Sequence, residues 1–201
     1  MNKITSLQPR KKSLQALYLD GEFFCDVDKE TMFFSKYKEG DELTAEQLDE
    51  LLYQSGLNRA KSRGLYLLGF KDYTKKGMVD KLKPDVGTES AQAAADYLEE
   101  KDFINDQRYA MRYARDLVKR KNLSGYRLIF ELTGKGVSKE LAQEAANEAL
   151  CELDASEIIR EILNKKYRLY KEDEKIQKRA FAALVRMGYS YDDINKVLRS
   201  D

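Results

Sequence analysis

The sequence predicts a mainly α fold: three tandem three-helix repeats in an elongated stack, with a small N-terminal strand-plus-helix module in front. Three observations carry that expectation. From Asn58 onward strand signals fade and apolar residues recur at helical spacing. One phrase also recurs: a leucine, a short turn with glycine, an apolar residue and a hydroxyl residue. It reads Leu132-Thr-Gly-Lys-Gly136-Val137-Ser138 and, 52 positions later, Leu184-Val-Arg-Met-Gly188-Tyr189-Ser190. A weaker copy, Leu82-Lys-Pro-Asp-Val-Gly87-Thr88, lies 50 positions before the first. Residues 1–55, by contrast, have the grammar of a hairpin.

In chain order, Leu14-Gln-Ala-Leu-Tyr-Leu19 and Glu22-Phe-Phe-Cys-Asp-Val27 are two short strands around an Asp20-Gly21 turn. Alternation puts Phe23, Cys25 and Val27 on one face, so Cys25 is expected as a small buried apolar residue. A short helix is expected from Lys29 to Tyr37. Thr44-Ala-Glu-Gln47 then has capping-box form ahead of Leu48, Leu51 and Leu52 at helical spacing.

Three repeats follow the 1–55 module, over 56–104, 105–151 and 152–201. Their first helices are expected near 58–70, 105–121 and 155–168, and their second near 74–83, 124–134 and 174–187. The third helices are expected near 88–100, 138–150 and 190–199. Each recurring glycine sits where a helix end wants a left-handed backbone, and each following Ser or Thr where the next helix wants an N-cap. Helices this short do not stand alone in water, so each repeat must bury apolar faces internally and against its neighbours. Such a stack suits a long partner better than a small substrate.

Composition narrows the function. The chain has 201 residues and is 42% hydrophobic, enough for a real core. With 36 basic and 35 acidic residues its net charge is +1, so only the distribution of charge is informative. The balance is −4 over 1–55, +1 over 56–105, +3 over 106–150 and +1 over 151–201. There is no histidine, which removes Ser-His-Asp triads, imidazole acid–base catalysis and His-bearing zinc sites. Cys25 and Cys151 lack metal or disulfide-framework spacing and fit a reducing cytoplasm. No signal-peptide core opens the chain, and no apolar run approaches the roughly 18 residues of a membrane span.

Three chemical look-alikes are set aside. Asp85 with Glu99-Glu-Lys101 imitates a magnesium nuclease, but that chemistry needs Glu-x-Lys on a strand. Ala91, Ala93, Ala94, Ala95 and Leu98 instead put it on a helix. Asp192-Asp193 after Ser190 are helix-capping acids, not metal ligands. No Gly-rich loop with Lys-Ser/Thr offers an ATP site. A non-enzymatic cytoplasmic monomer is expected, with no catalytic, cofactor or metal site and no membrane partner.

The stretch that stands out runs from Phe103 to Lys121. Wound as a helix, it places Arg108, Arg112, Arg115 and Lys119 on one stripe and Tyr109, Ala110, Tyr113, Ala114 and Leu117 opposite. Asp106 is its N-cap or first-turn acid. Arg120, Lys121 and Arg127 extend the charge, which points to phosphate or an acidic protein surface. Fifty positions earlier the stripe aligns with Asn58, Ser62, Leu65 and Gly69, and 52 later with Arg160, Asn164, Tyr167 and Lys171. The full stripe belongs to the middle repeat. Tyr109 and Tyr113 are expected in the core.

These residues resemble the RecX family, bacterial regulators of the RecA recombinase. The resemblance rests on Phe103-Ile-Asn-Asp-Gln-Arg-Tyr-Ala110, Gly125-Tyr-Arg-Leu-Ile129 and Leu132-Thr-Gly-Lys-Gly-Val137 in the middle repeat. Tyr66-Leu-Leu-Gly-Phe-Lys-Asp-Tyr-Thr74 with Lys81-Leu82 carries it in the first, and Arg186-Met-Gly-Tyr-Ser-Tyr-Asp-Asp-Ile194 in the last. Two positions depart: Lys71 stands where the family has arginine, and Met187 where a basic residue is common. The resemblance implies a protein that binds RecA and the RecA–single-stranded-DNA filament. It also implies suppression of RecA ATP hydrolysis and strand exchange, and in some members direct contact with DNA. The role would lie in DNA recombination, repair and the SOS response. A stand-alone helix-turn-helix DNA-binding protein is the alternative, since short helices with basic faces also describe groove readers.

Overall fold

The computed structural model describes residues 2–11, 13–151 and 153–200; the expected limits at residues 1, 152 and 201 fall outside that set. The chain folds as two compact units, Met1–Asn105 and Asp106–Asp201.

The first unit begins with strands β1 (Asn2–Pro9), β2 (Leu14–Leu19) and β3 (Glu22–Asp28), and β4 (Glu42–Leu43) follows later. Among the described residues they form one antiparallel sheet in the order β3-β2-β1-β4. The sequence signals only the β2–β3 hairpin. β1 escapes notice because Ile4 is its one fully buried residue, so it has no apolar alternation. Ladder bonds to β2 hold it in place, with the Leu7 amide donating to Glu39 Oε1 at 2.7 Å.

The expected face of Phe23, Cys25 and Val27 is also broken. Leu17 pairs with Cys25 but Tyr18 with Phe23, so Phe24 is the extra residue of a β-bulge. One inserted residue resets the alternation. Phe23 therefore turns to Tyr18, ring centroids 5.8 Å apart, and is exposed. Val27 is buried and Cys25 only half-buried, with burial and neighbouring Asp26 pushing its thiol pKa up.

Helix α1 (Lys29–Ser35) starts at Asp28, whose carboxylate accepts from the Thr31 amide, and stops at left-handed Lys36. Helix α2 (Ala45–Leu68) opens with the expected Thr44–Gln47 capping box. The break expected between Leu52 and Asn58 does not exist: α2 is one helix of 24 residues. Ser55 and Gly56, at the expected boundary between the modules, serve packing. Ser55 is buried, and its hydroxyl accepts from the Asp28 amide at 2.8 Å. A Cβ on Gly56 would meet Ser90 Oγ at 2.7 Å, and one on Gly64 would meet Leu98 Cδ1 at 2.6 Å.

That close approach admits α4 (Thr88–Glu100), which packs on α2 together with α3 (Lys75–Val86). Helix α3 runs past Pro84, where the sequence suggests a stop. Pro84 forgoes its own donor to the i−4 carbonyl, and the Gly87 amide still closes the last turn on the Lys83 carbonyl at 3.0 Å.

The second unit holds α5 (Asp106–Lys121), α6 (Gly125–Gly134) and α7 (Lys139–Leu150), then α8 (Ala155–Lys166), α9 (Glu174–Met187) and α10 (Tyr191–Ser200). With α2–α4 these make three three-helix repeats, and the recurring phrase plays one role in each. Leu82, Leu132 and Leu184 are all completely buried, while Gly87, Gly136 and Gly188 have φ of 81°, 92° and 100°. Ser138 and Ser190 cap α7 and α10 by accepting from the Leu141 and Asp193 amides. Thr88 departs from the expectation. It is the first residue of α4, and Gly87 itself occupies the N-cap without a side-chain bond.

Within the second unit the turn after α9 docks on the start of α6. The Ser124 amide donates to the Met187 carbonyl at 2.8 Å. Tyr126 donates its hydroxyl to the Val185 carbonyl at 2.7 Å, and Tyr189 to the Asn122 carbonyl at 3.0 Å. Gly125 and Gly188 leave no room for side chains: a Cβ on Gly125 would lie 2.6 Å from the Gly188 oxygen, and one on Gly188 would overlap the Ser124 carbonyl. Met187 packs against the cores of both repeats, so the departure noted at this position has an apolar use.

Gly188→Ala combines a left-handed backbone with that overlap and should cost more than ~2 kcal/mol in denaturant unfolding. Gly21→Ala has similar φ, at 92° against 100°, but open space around it, and should cost only about 1 kcal/mol. Equal losses for the two would remove the seam from the explanation. Burial pushes the Tyr189 hydroxyl from 10.0 up to about 12. The folded phenol thus ionises later than the unfolded one, so its linked stability is complete below pH 10 and lost as pH rises toward about 12. Alkaline difference spectroscopy should show a late-titrating tyrosine component that Tyr189→Phe removes.

Candidate contact face

The cationic stripe lies where its spacing places it. Helix α5 turns Ala110, Ala114 and Leu117 into the core of the middle repeat, with Tyr109 and Tyr113 half-buried beside them, ring centroids 5.6 Å apart. The two tyrosines belong to the core. On the outer side Arg108, Arg112, Arg115, Lys119, Arg120 and Lys121 are all at least partly exposed. Asp106 occupies the first turn, and Lys119, Arg120 and Lys121 the last, each with the sign the helix dipole favours. Arg127 comes from α6 and is only half-exposed.

Carboxylates moderate this face at Arg115 and at Arg127. Glu148, near the end of α7, forms an ion pair with Arg115 across 33 positions of sequence. Arg127 pairs with Glu131 at 2.6 Å one turn along α6, and its guanidinium lies 5.0 Å from the Phe130 ring centre. The Arg127–Glu131 pair is legible in sequence as an i,i+4 spacing; the Arg115–Glu148 pair is not, because it needs α5 and α7 side by side. Exposed pairs of this kind contribute about 0–1 kcal/mol, so they dilute the positive charge without locking the side chains.

A second basic feature goes unnoticed in the sequence. Lys165, Lys166 and Arg168, at and just beyond the end of α8, read as a helix terminus with the favourable charge. In the fold Arg179 of α9 joins them around an open cleft of about 370 Å³ that Tyr167, Leu169 and Ile176 also line. None of the four cations has an ion pair among the described residues, and no carboxylate lines the cleft.

The look-alike nuclease residues are arranged differently. Glu99 lies on α4, where Lys75 Nζ sits 2.7 Å from both its carboxylate and that of Asp96. Lysine hydrogen bonding lowers the Asp96 pKa, and the two acids raise that of Lys75. Among the described residues no group of three or more His, Cys, Asp or Glu is placed to hold a metal ion, and no helix is long and apolar enough to cross a membrane.

Comparison with known proteins places this geometry. Residues 105–145 match the second three-helix domain of RecX, and residues 152–198 the third. A regulatory protein RecX from Caldanaerobacter subterraneus subsp. tengcongensis is 30% identical over 198 residues, spanning 97% of this chain and 98% of its own length. The chain belongs to the RecX family. A second relative of the same name, from Clostridium beijerinckii, is 28% identical over 207 residues, covering 99% of this chain and 94% of its own. A crystal structure of regulatory protein RecX superposes over 100% of both chains with a TM-score of 0.69 at 22% identity. RecX from Lactobacillus salivarius gives 0.57 over 72% of this chain and 96% of that one, at 21% identity. These structures share the fold, and the relatives are named as regulatory proteins rather than as enzymes.

Glu148→Gln should free Arg115 and raise the net charge of the α5 face by one. Retention on a heparin column should increase, while the melting temperature moves by no more than a few degrees. Unchanged retention would mean that Arg115 does not face the anion-binding side.

Proposed function

We propose that this RecX-family chain is a non-enzymatic regulator that binds RecA and the RecA–single-stranded-DNA filament and suppresses RecA ATP hydrolysis and strand exchange. Family membership over nearly the whole chain supports this reading most strongly. The exposed cations of α5 supply the contact: they are carried on a helix whose other side is core, so the backbone that presents them needs no ordering on binding. The partner surface they fit is phosphate or a carboxylate-rich protein face. Lys119, Arg120 and Lys121, at the end of α5, are the cations of the face furthest along the chain toward α6.

A stand-alone helix-turn-helix reader is the second reading. It needs a helix free to enter a groove by one face, and α5 offers such a face. It predicts a single protected site on duplex DNA and no effect on RecA.

Charge reversal at Arg112, Arg115 and Lys119 to Glu should weaken inhibition of RecA ATPase by tenfold or more without altering the helical circular dichroism. If these cations sit on phosphates, removing each one should also lower the salt slope of DNA binding by somewhat less than about one unit. Weakened inhibition with an unchanged slope would assign the stripe to an acidic protein surface. Full inhibition by the folded triple variant would refute the stripe as the contact.

A further inference from the structure

We propose that the end of α2 is a stacking platform for single-stranded nucleic acid, formed by Tyr66 and Phe70 with Arg63 and Lys71 at its sides. The RecA reading does not depend on it. Tyr66 and Phe70 belong to a phrase that marks the first repeat, yet the core does not use them: Ala60, Gly64 and Leu67 make the buried face of this part of α2. The two rings are 58% and 72% exposed, and Leu65 beside them 42%. They are held in place. Phe70 follows the last turn of α2 with its amide donating to the Leu67 carbonyl at 3.1 Å, and its ring meets Tyr66 edge to face at 4.9 Å.

Two prepositioned rings in water call for a ligand with an apolar surface. The charge around them selects its class. Arg63 and Lys71 flank the rings along the chain, with Asp72 the next residue, while Lys61 lies over the Tyr97 ring instead. The Arg63 guanidinium lies 5.2 Å from the Tyr66 ring centre, and Lys71 Nζ 4.7 Å from that of Tyr73. Flat rings for bases with flanking cations for phosphates are the two components of single-strand binding. A duplex is excluded because its base faces are stacked on one another; only an unpaired strand has faces to offer. The platform is particular to the first repeat. Fifty positions later Tyr66 and Phe70 align with Asp116 and Arg120, so α5 carries charge where α2 carries rings.

The test is fluorescence anisotropy of the full chain with a labelled oligothymidylate of about 20 nucleotides, across a salt series. Tyr66→Ala/Phe70→Ala should weaken binding about tenfold or more with an unchanged salt slope, because stacking releases no counterions. The chain has no tryptophan, so Tyr66→Trp and Phe70→Trp add a direct reporter; each should retain affinity and be quenched by the oligonucleotide. Wild-type affinity in the double alanine variant would overturn the platform. So would unquenched tryptophans, or an inability of the full chain to bind the oligonucleotide, and neither result touches the RecA reading. If the alanine variant loses RecA inhibition at full oligonucleotide affinity, the rings bind protein and the platform is wrong.

Discussion

The repeats depend on the reversal between their second and third helices. A leucine at the end of the second helix is driven fully into the core, and within a few residues the chain must turn so that the third helix can pack back over it. Leu82, Leu132 and Leu184 take the buried place, and Gly87, Gly136 and Gly188 take the positive φ that makes so tight a turn possible. Helices of 10 to 14 residues gain little from their own hydrogen bonds, so this packing is their main source of stability. In the last repeat the turn has a second duty. Gly188 brings it against the Ser124 carbonyl, and the hydrogen bonds donated by the Ser124 amide, Tyr126 and Tyr189, with the packing of Met187, tie the second repeat to the third.

The first unit solves a related problem with one long helix. The first half of α2 covers the sheet through Leu48 and Leu51, and its second half serves as the first helix of the first repeat through Ala60, Gly64 and Leu67. The hydrogen bonds from the Asp28 amide to Ser55 and from Asn58 to Thr31 fasten β3 and α1 to the middle of α2. The acidic module is therefore built into the first repeat rather than tethered to it.

Charge and apolar surface are divided among the repeats by what each helix leaves uncovered. Helix α5 presents cations because its small residues satisfy the core, and α2 ends in two open rings because Gly64 and Leu67 do so there. Glu148 and Glu131 then moderate the middle repeat. The cleft of Lys165, Lys166, Arg168 and Arg179 gives the third repeat a basic surface of its own, despite the missing cation at Met187. The asymmetry read from α5 alone is thus smaller than its stripe suggests.

Helical periodicity, the Leu-to-Ser phrase and the capping box at Thr44 are local signals, and they suffice for the helices of all three repeats and for the core or surface side of α5. They fail where a residue's role depends on something distant. Ser55-Gly56 stands at the expected boundary between modules but is a packing site once β3 and Ser90 are beside it. The alternation of Phe23 and Cys25 is lost to a bulge defined only by the pairing with β2, and β1 is a strand because neighbours hold it. Family, fold class and cationic stripe are thus properties of the sequence by itself. That Arg115 stands paired with Glu148, and that Ser90 and Leu98 fill the places beside Gly56 and Gly64, was decided only when α7 came beside α5 and α4 beside α2, because those contacts join residues that the chain keeps far apart.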